Sequence, residues 1–429
     1  MIWVKSGTAA YARALAAAEG RGATESEKVS AVVAEVIARV RRDGDAALAE
    51  YTRRFDGFDP GKNGFAVPKR EIDAAFRRTP ARLKESLAFA AARIEAFHAH
   101  QAETGFSAGL PGAVLGQRVL PVARAGVYVP GGKAAYPSTL LMNAIPARVA
   151  GVGEVIAACS APGGAVPDIV LAAARIVGIS AVYRIGGAQA IAALAFGTGS
   201  VPKADVIAGP GNAYVTEAKR QVYGRVGIDM LAGPSELVVL ADGTAKPAYV
   251  AADMLSQAEH DEDAFVALVT DSATLARRAT TEMARQAKTL PRGRIVAAAL
   301  ARAAGFLVKS LDEGIEAVNR IAPEHLGVMV EDPWRALERI RNAGTAFLGP
   351  WSPVAVGDYV AGINHTLPTG GAARFSSPLG VSTFLKRTNV VSYGFRALSA
   401  DGPHVVRLAE KEGLVAHARA VLKRTGGEA

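Results

Sequence analysis

The sequence predicts an α/β protein with mainly parallel strands. Three observations carry this. Short Val/Ile/Leu-rich runs recur from Val119 onward, each is followed by an Ala-rich segment with helical spacing, and glycine-rich turns join the two. The apolar runs are continuous rather than alternating, as strands covered on both faces require.

The first hundred residues are predicted helical. In "TESEKVSAVVAEVIARVRRDG", Thr24 and Glu27 form a capping-box pattern, aliphatic residues recur at helical spacing, and Gly44 supplies a stop. "KREIDAAFRRTPARLKESLAFAAARIEAFHAHQ" continues the theme with a break at Pro80. His98 and His100 are two apart, share no helix face, and read as surface or packing residues.

Strand and helix then alternate. "AGVYVP" precedes a helix near Thr139–Val149, "EVIAAC" precedes "PDIVLAAARIVG", "AVYRIG" precedes "AQAIAALAFG", and "ADVIAG" precedes "NAYVTEAKRQVYG". "SELVVLAD", the helix "PAYVAADMLSQAEH" and "AFVALVTD" follow. "GGKAAYPSTLLMNAIPA" and "DGTAKPAYVAADMLSQA" occupy similar places after a strand, which hints at a duplicated α/β unit. The tail "GPHVVRLAEKEGLVAHARAVLKR" reads as one or two short helices after a loop-rich segment.

We expect four regions: a helical N-terminal segment at 1–115 belonging to the first globular unit, α/β domains at 116–233 and 234–375, and a tail at 376–429.

Composition excludes several classes. Hydrophobic residues make up 50% and charged residues 21%, ordinary for a globular protein. The apolar stretch from Leu140 to Ala174 is broken by Arg148, Glu154 and Asp168, so no run of about 20 apolar residues suggests a membrane span. Met1 to Lys5 shows no basic n-region, so no secretory signal is expected and the cytoplasm is the expected location. Cys159, the single cysteine, allows no internal disulfide and reads as a buried strand-end thiol. The net charge of +9 is spread among acids, so we expect a solvated surface and no nucleic-acid partner.

"NRIAPEHLG", residues 319 to 327, sets Glu324 and His325 side by side after Pro323. Neighbouring side chains diverge on a strand or a helix, so both serve one site only where the chain turns. Pro323 favours such a break by disfavouring helix at Ala322. Taken alone, the pair reads first as an exposed polar loop, and only the rest of the chain shifts that reading.

Gln257 and His260, three apart at the end of a predicted helix, could lie on one face and ligate a metal, although glutamine is a poor zinc ligand. Asp358 and His365 lie in "VGDYVAGINHTLPTGG", with too little periodicity for a helix, and could complete a hard-to-borderline metal site. Glu412 and His417, five apart in "EGLVAHAR", are not face-mates and could address different partners. The turns "VPGG", "IGGAQA" and "GPGNAY" could each hold phosphate at a helix N-terminus or be plain tight turns. "GVGEVI" at 151–156 fails as a dinucleotide fingerprint because Ile156 stands where a third glycine belongs.

In order and spacing, "DMLAGPSELVVLAD", "MLSQAEHD", "IAPEHL", "VGDYVAGINHTLPTGG" and "EGLVAHAR" resemble the motifs of the histidinol dehydrogenase family. "AGVYVPGGKAAYPSTLLMNAIPARVAG", "GGAQAIAALAFGT" and "GPGNAYVTEAKRQV" are similar to its remaining blocks, and the likeness runs from about residue 30 to the end.

The resemblance implies two incomplete Rossmann-like domains, and oxidation of L-histidinol through L-histidinaldehyde to L-histidine with two NAD⁺ reduced. It implies one Zn²⁺ per subunit on Gln257, His260, Asp358 and His417, the last from the partner of a homodimer with shared sites. Substrate contacts map onto Ser235, His325, His365 and Glu412 together with those ligands, the catalytic pair onto Glu324 and His325, and cofactor contacts onto Tyr128, Gln189 and Asn212. The tail is expected to be exchanged across the dimer. The alternative is a family relative oxidising another small polyol, such as a sulfopropanediol.

Overall fold

In the computed structural model, which describes residues 1–22, 27–131 and 135–426, three sheets account for the strands. In chain order these are β1 (Ile2–Lys5), β2 (Phe106–Leu110), β3 (Ala113–Pro121), β4 (Arg124–Val129), β5 (Glu154–Cys159), β6 (Ala181–Tyr183) and β7 (Val206–Ala208). There follow β8 (Gly227–Ile228), β9 (Glu236–Ala241), β10 (Phe265–Thr270), β11 (Ala304–Leu307), β12 (His325–Met329), β13 (Thr345–Leu348) and β14 (Leu385–Tyr393).

The first parallel sheet has the order β6-β5-β4-β7-β8, and the second β1-β11-β10-β9-β12-β13. Leaving aside β1, both read third-second-first-fourth-fifth along the chain. That is the order of the first five strands of a dinucleotide-binding doubly wound sheet. The duplication hinted at in sequence is therefore present as topology.

Burial explains the continuous apolar runs. Every residue of β9 is buried, as are five of the six in β4. Leu237, Val238, Val239 and Leu240 are at most 1% exposed. Each contributes about 1.5–3 kcal/mol by leaving water, an upper estimate because unfolded chains are partly collapsed. Crossover helices cover both faces: Pro137–Val149, Asp168–Val177, Gly187–Phe196 and Ala213–Val222 around the first sheet, and Pro247–Ala258, Ala273–Ala287 and Leu311–Ile321 around the second.

The chain divides into two compact units, residues 1–101 with 123–384, and residues 102–122 with 385 onward. The second unit holds the antiparallel sheet β14-β3-β2 and two helices, Phe395–Lys411 and Val415–Thr425.

The N-terminal region differs from the helical expectation in two places. Ile2–Lys5 is an edge strand paired with β11, too short to show a period. Residues 106–121 form β2 and β3, whose mostly exposed side chains leave no apolar pattern to read. Within the tail, Leu385–Tyr393 form a nine-residue strand that was not expected, eight of whose residues are exposed.

Elsewhere the helix signals hold. Helix Glu27–Asp43 ends before Gly44, and Lys69–Arg78 and Ala81–Ala99 flank Pro80. Thr24 of the capping-box pattern and Gly132 of "VPGG" lie outside the described residues. His98 is fully buried with Nδ1 against the Ile94 carbonyl at 2.8 Å, a packing residue, and burial lowers its pKa. Cys159 ends β5, 2% exposed, with burial pushing its thiol up to about 12. Among the described residues, no helix is long and apolar enough to cross a membrane.

Candidate active site

Parallel topology gathers the candidate residues of the second sheet at one edge. Strands β9 and β12 run side by side with His325 opposite Leu237, so Ser235 and the Glu324–His325 pair both stand where these strands begin. A crossover helix returns to that same edge before the next strand starts. The last turn of Pro247–Ala258 therefore delivers Gln257 there, with His260 just beyond the helix. Asp358 arrives on a short helix, Val354–Tyr359, that follows β13.

Two expectations are corrected here. His260 lies just past the helix end, its N–H bonded to the Gln257 carbonyl at 3.2 Å, instead of on a helix face with Gln257. Asp358 is helical, on a helix of six residues that begins just after Pro353 and is too short for its period to be legible.

The turn that presents Glu324 and His325 is made by Ala322, whose φ of 49° is the one positive value outside glycine among the described residues. An alanine in this region costs about 1–2 kcal/mol. Its surroundings hold it there. The Ala322 N–H bonds the Val318 carbonyl at 2.8 Å, the Arg21 guanidinium reaches the Ile321 carbonyl at 2.8 Å and that of Ala322 at 3.4 Å, and the Gly344 N–H bonds the Pro323 carbonyl at 2.9 Å.

Both members of the pair are buried, Glu324 6% and His325 4% exposed. His325 Nδ1 lies 2.9 Å from the Glu236 carbonyl and 3.3 Å from Glu324 Oε2. A carbonyl accepts only, so Nδ1 carries the proton and Nε2 is left to exchange one. Nε2 faces Asp358 Oδ1 at 3.8 Å, and the ring stacks on Phe347 with centroids 6.0 Å apart.

Burial works against the imidazolium, but the Glu324 and Asp358 carboxylates outweigh it and bring His325 up to about 9. For Glu324, burial raises the pKa, His325 opposes the rise, and the nearby Glu236 carboxylate adds to it. The Glu236 main-chain N–H donates to Glu324 Oε2 at 2.7 Å.

His260 keeps an open face to solvent although enough protein surrounds it to lower its pKa by desolvation, with Asp358 opposing. His365 is also lowered by burial, its Nδ1 3.2 Å from the Asp358 carbonyl. Both are thus poised neutral, the form that ligates metals.

The Gln257 carboxamide, at the end of its helix, is buried with Nε2 lacking a hydrogen-bond partner among the described residues. Carboxamide, imidazole and carboxylate suit a borderline divalent ion, so the residues present fit a metal, with positions left over for other ligands. Among the described residues, no group of three or more His, Cys, Asp and Glu side chains is itself arranged to hold one. Glu412 and His417 belong to the second unit, where both are exposed, Glu412 at the end of Phe395–Lys411 and His417 in Val415–Thr425.

The other three candidates lie at the C-terminal ends of the first sheet. The Tyr128 hydroxyl accepts the Gly187 N–H at 3.0 Å, and a Cβ on Gly187 would stand 2.8 Å from Gln189 Oε1, so Tyr128 and Gln189 meet at one helix N-terminus. Asn212 caps the next helix, its Oδ1 accepting from Tyr214 and Val215 at 3.1 Å each. The helix carrying Gln189 follows β6, whereas Tyr128 on β4 and Asn212 just after β7 stand at the two strands that flank the point where strand order reverses, the usual crevice for a ligand. A cavity of about 310 Å³ opens beside it, lined by Val129, Pro130, Gly131, Cys159, Ser160 and Pro162, and does not include the Glu324–His325 pair.

Two residues of the site escaped the sequence reading. Glu236 was visible as an acid heading a fully apolar strand, which calls for a partner. Arg21 carried no signal, because its role depends on contacts some two and three hundred residues away.

The histidinol dehydrogenase family model matches residues 19–425, beginning earlier than the motifs had suggested. The chain is 50% identical over 416 residues to the histidinol dehydrogenase of Geobacter metallireducens, covering 96% of this chain and 95% of that protein. It is 51% identical over 406 residues to that of Parasynechococcus marenigrum, covering 94% and 92%. Among solved structures, the histidinol dehydrogenase of Elizabethkingia anophelis superposes with a TM-score of 0.93 at 36% identity, over 99% of this chain and 98% of that one.

Proposed function

The chain belongs to the histidinol dehydrogenase family, and from that premise we propose that it oxidises L-histidinol to L-histidine with two NAD⁺, in the last two steps of histidine biosynthesis. The observation that carries the reading is the buried pair at the start of β12. It offers two proton-transfer groups of different basicity at one point, Glu324 and His325.

A four-electron oxidation at one carbon needs both. In the first step the alcohol carbon gives a hydride to NAD⁺ and its hydroxyl gives a proton to His325 Nε2, leaving the aldehyde. In the second, water adds to the aldehyde as Glu324 takes its proton, and the hydrate gives up a second hydride and a proton. Over both steps one alcohol, one water and two NAD⁺ become one carboxylate, two NADH and three protons. The raised pKa of Glu324 suits a general base near neutral pH better than an exposed carboxylate would.

Gln257, His260 and Asp358 would hold zinc, completed by His417 of a second copy of the chain. Zinc there would anchor the substrate through its imidazole and amino nitrogens. Engaging Asp358 in this way also occupies one of the two carboxylates that favour the protonated form of His325. Ser235, His365 and, from the second copy, Glu412 would complete the substrate contacts. Tyr128, Gln189 and Asn212 would meet the cofactor. A homodimer with shared sites and an exchanged tail, working in the cytoplasm, follows from this assignment.

The experiment is the yield of NADH per L-histidinol consumed, with zinc present, after chelation, and after zinc is restored. Two NADH per substrate, lost and regained with the metal, is the expected result. A folded, zinc-loaded sample giving no NADH from histidinol would move the assignment to another small polyol.

A further inference from the structure

We propose that Arg21 and Glu236 are positioning residues for this reaction: the Arg21 guanidinium fixes the Glu236 carboxylate, and Glu236 in turn holds Glu324 and His325 in their working arrangement. The inference rests on the reading of Glu324 and His325 as the catalytic pair.

Glu236 grips the pair through three bonds. Its main-chain N–H donates to Glu324 Oε2 at 2.7 Å, its carbonyl accepts His325 Nδ1–H at 2.9 Å, and its carboxylate Oε2 accepts the Glu324 N–H at 3.2 Å. The other carboxylate oxygen, Oε1, accepts the Gly370 N–H at 2.8 Å. Two of the three bonds come from the Glu236 main chain and reach both members of the pair, and the carboxylate adds the third, to the Glu324 N–H.

A carboxylate buried this deeply, its side chain 4% exposed and a second carboxylate beside it, needs a counter-charge. Arg21 supplies it as a fork, Nε to Oε1 at 2.7 Å and Nη2 to Oε2 at 2.5 Å. The same guanidinium bonds the carbonyls of Ala18, Ile321 and Ala322 and lies over the Phe265 ring at 4.9 Å. It thereby ties the end of helix Ala9–Glu19 to the end of helix Leu311–Ile321, two residues before Pro323. The left-handed Ala322 and the carboxylate network are thus held by one side chain. A planar fork with five donors does this; a lysine keeps the charge but not the geometry.

The test measures kcat, KM for L-histidinol and zinc content for Arg21→Ala, Arg21→Lys, Glu236→Gln and the double variant Arg21→Ala/Glu236→Gln. Glu324→Gln and His325→Ala run beside them as references. Arg21→Ala is expected to lower kcat about 10²-fold, the effect of a misplacement of about 1 Å at a reacting group, with KM and zinc content unchanged. Arg21→Lys is expected to recover part of the loss. The double variant is expected to be no worse than the poorer single one, since the two residues act through one linkage.

Full kcat in folded Arg21→Ala, beside crippled reference variants, would overturn the proposal and leave the catalytic pair standing. Loss of zinc or a raised KM in step with kcat would overturn it in favour of a merely structural role. Reference variants at full activity would instead bring down the catalytic-pair reading. If Arg21→Ala does not fold, Arg21→Lys and Glu236→Gln decide on the same criteria.

Discussion

The Glu236 carbonyl accepts the Nδ1–H of His325 at 2.9 Å, across adjacent parallel strands. The bond orients the ring and leaves Nε2 as the proton acceptor. His325→Ala should therefore slow histidinol oxidation by about 10²-fold or more. Steady-state NADH formation checks this, and an unchanged rate would remove His325 from the proton transfer.

On the proposed mechanism, Glu324 acts after the aldehyde has formed. With L-histidinaldehyde as substrate, Glu324→Gln should lower the rate by about 10²–10⁴-fold, and the alcohol half-reaction should suffer less. Single-turnover measurements of the two halves separate them. Equal losses in both would assign Glu324 a role in orienting His325 and not in activating water.

Gln257→Ala and Asp358→Ala should each lower zinc content, read directly by metal analysis of purified protein. His417→Asn should do the same. If the sites are shared as proposed, mixing His417→Asn with Glu324→Gln under conditions of subunit exchange should restore some activity, because one of the two sites in a hybrid dimer is then intact. Full zinc in Asp358→Ala would displace the metal from this edge of the sheet.

Asp253, one turn before Gln257, is 6% exposed with Oδ2 unpartnered, and burial raises its carboxyl from 3.8 to about 6. The folded chain therefore holds this proton more tightly than the unfolded one. Its contribution to stability is complete below pH about 4 and falls by up to about 3 kcal/mol as pH rises to about 6. Asp253→Asn does not titrate, so its stability relative to the parent should rise across that window. Denaturant melts at pH 4 and pH 7 give the difference, and a constant offset would contradict it.

Much of this was legible in the chain because it is local. Continuous apolar runs announced doubly covered strands, glycine turns marked the strand-to-helix junctions, and the motifs carrying Gln257, His260, Glu324, His325 and Asp358 lie in short segments of specific chemistry. What stayed hidden was short, exposed or long-range. Strand β1 has four residues, β14 has no buried face from which to read a period, and the Asp358 helix has six residues.

By itself the sequence determined the α/β class, the succession of strands and helices, and the residue types available for chemistry, since propensity and hydrophobic period act between near neighbours. Only the tertiary structure decided that parallel β9 and β12 begin side by side, that Ala322 turns left-handed just before the buried pair, and that Arg21 neutralises Glu236 from 215 residues away. The physical reason is that charge compensation and backbone strain are settled by whichever groups packing brings within hydrogen-bond reach, and distance along the chain does not enter.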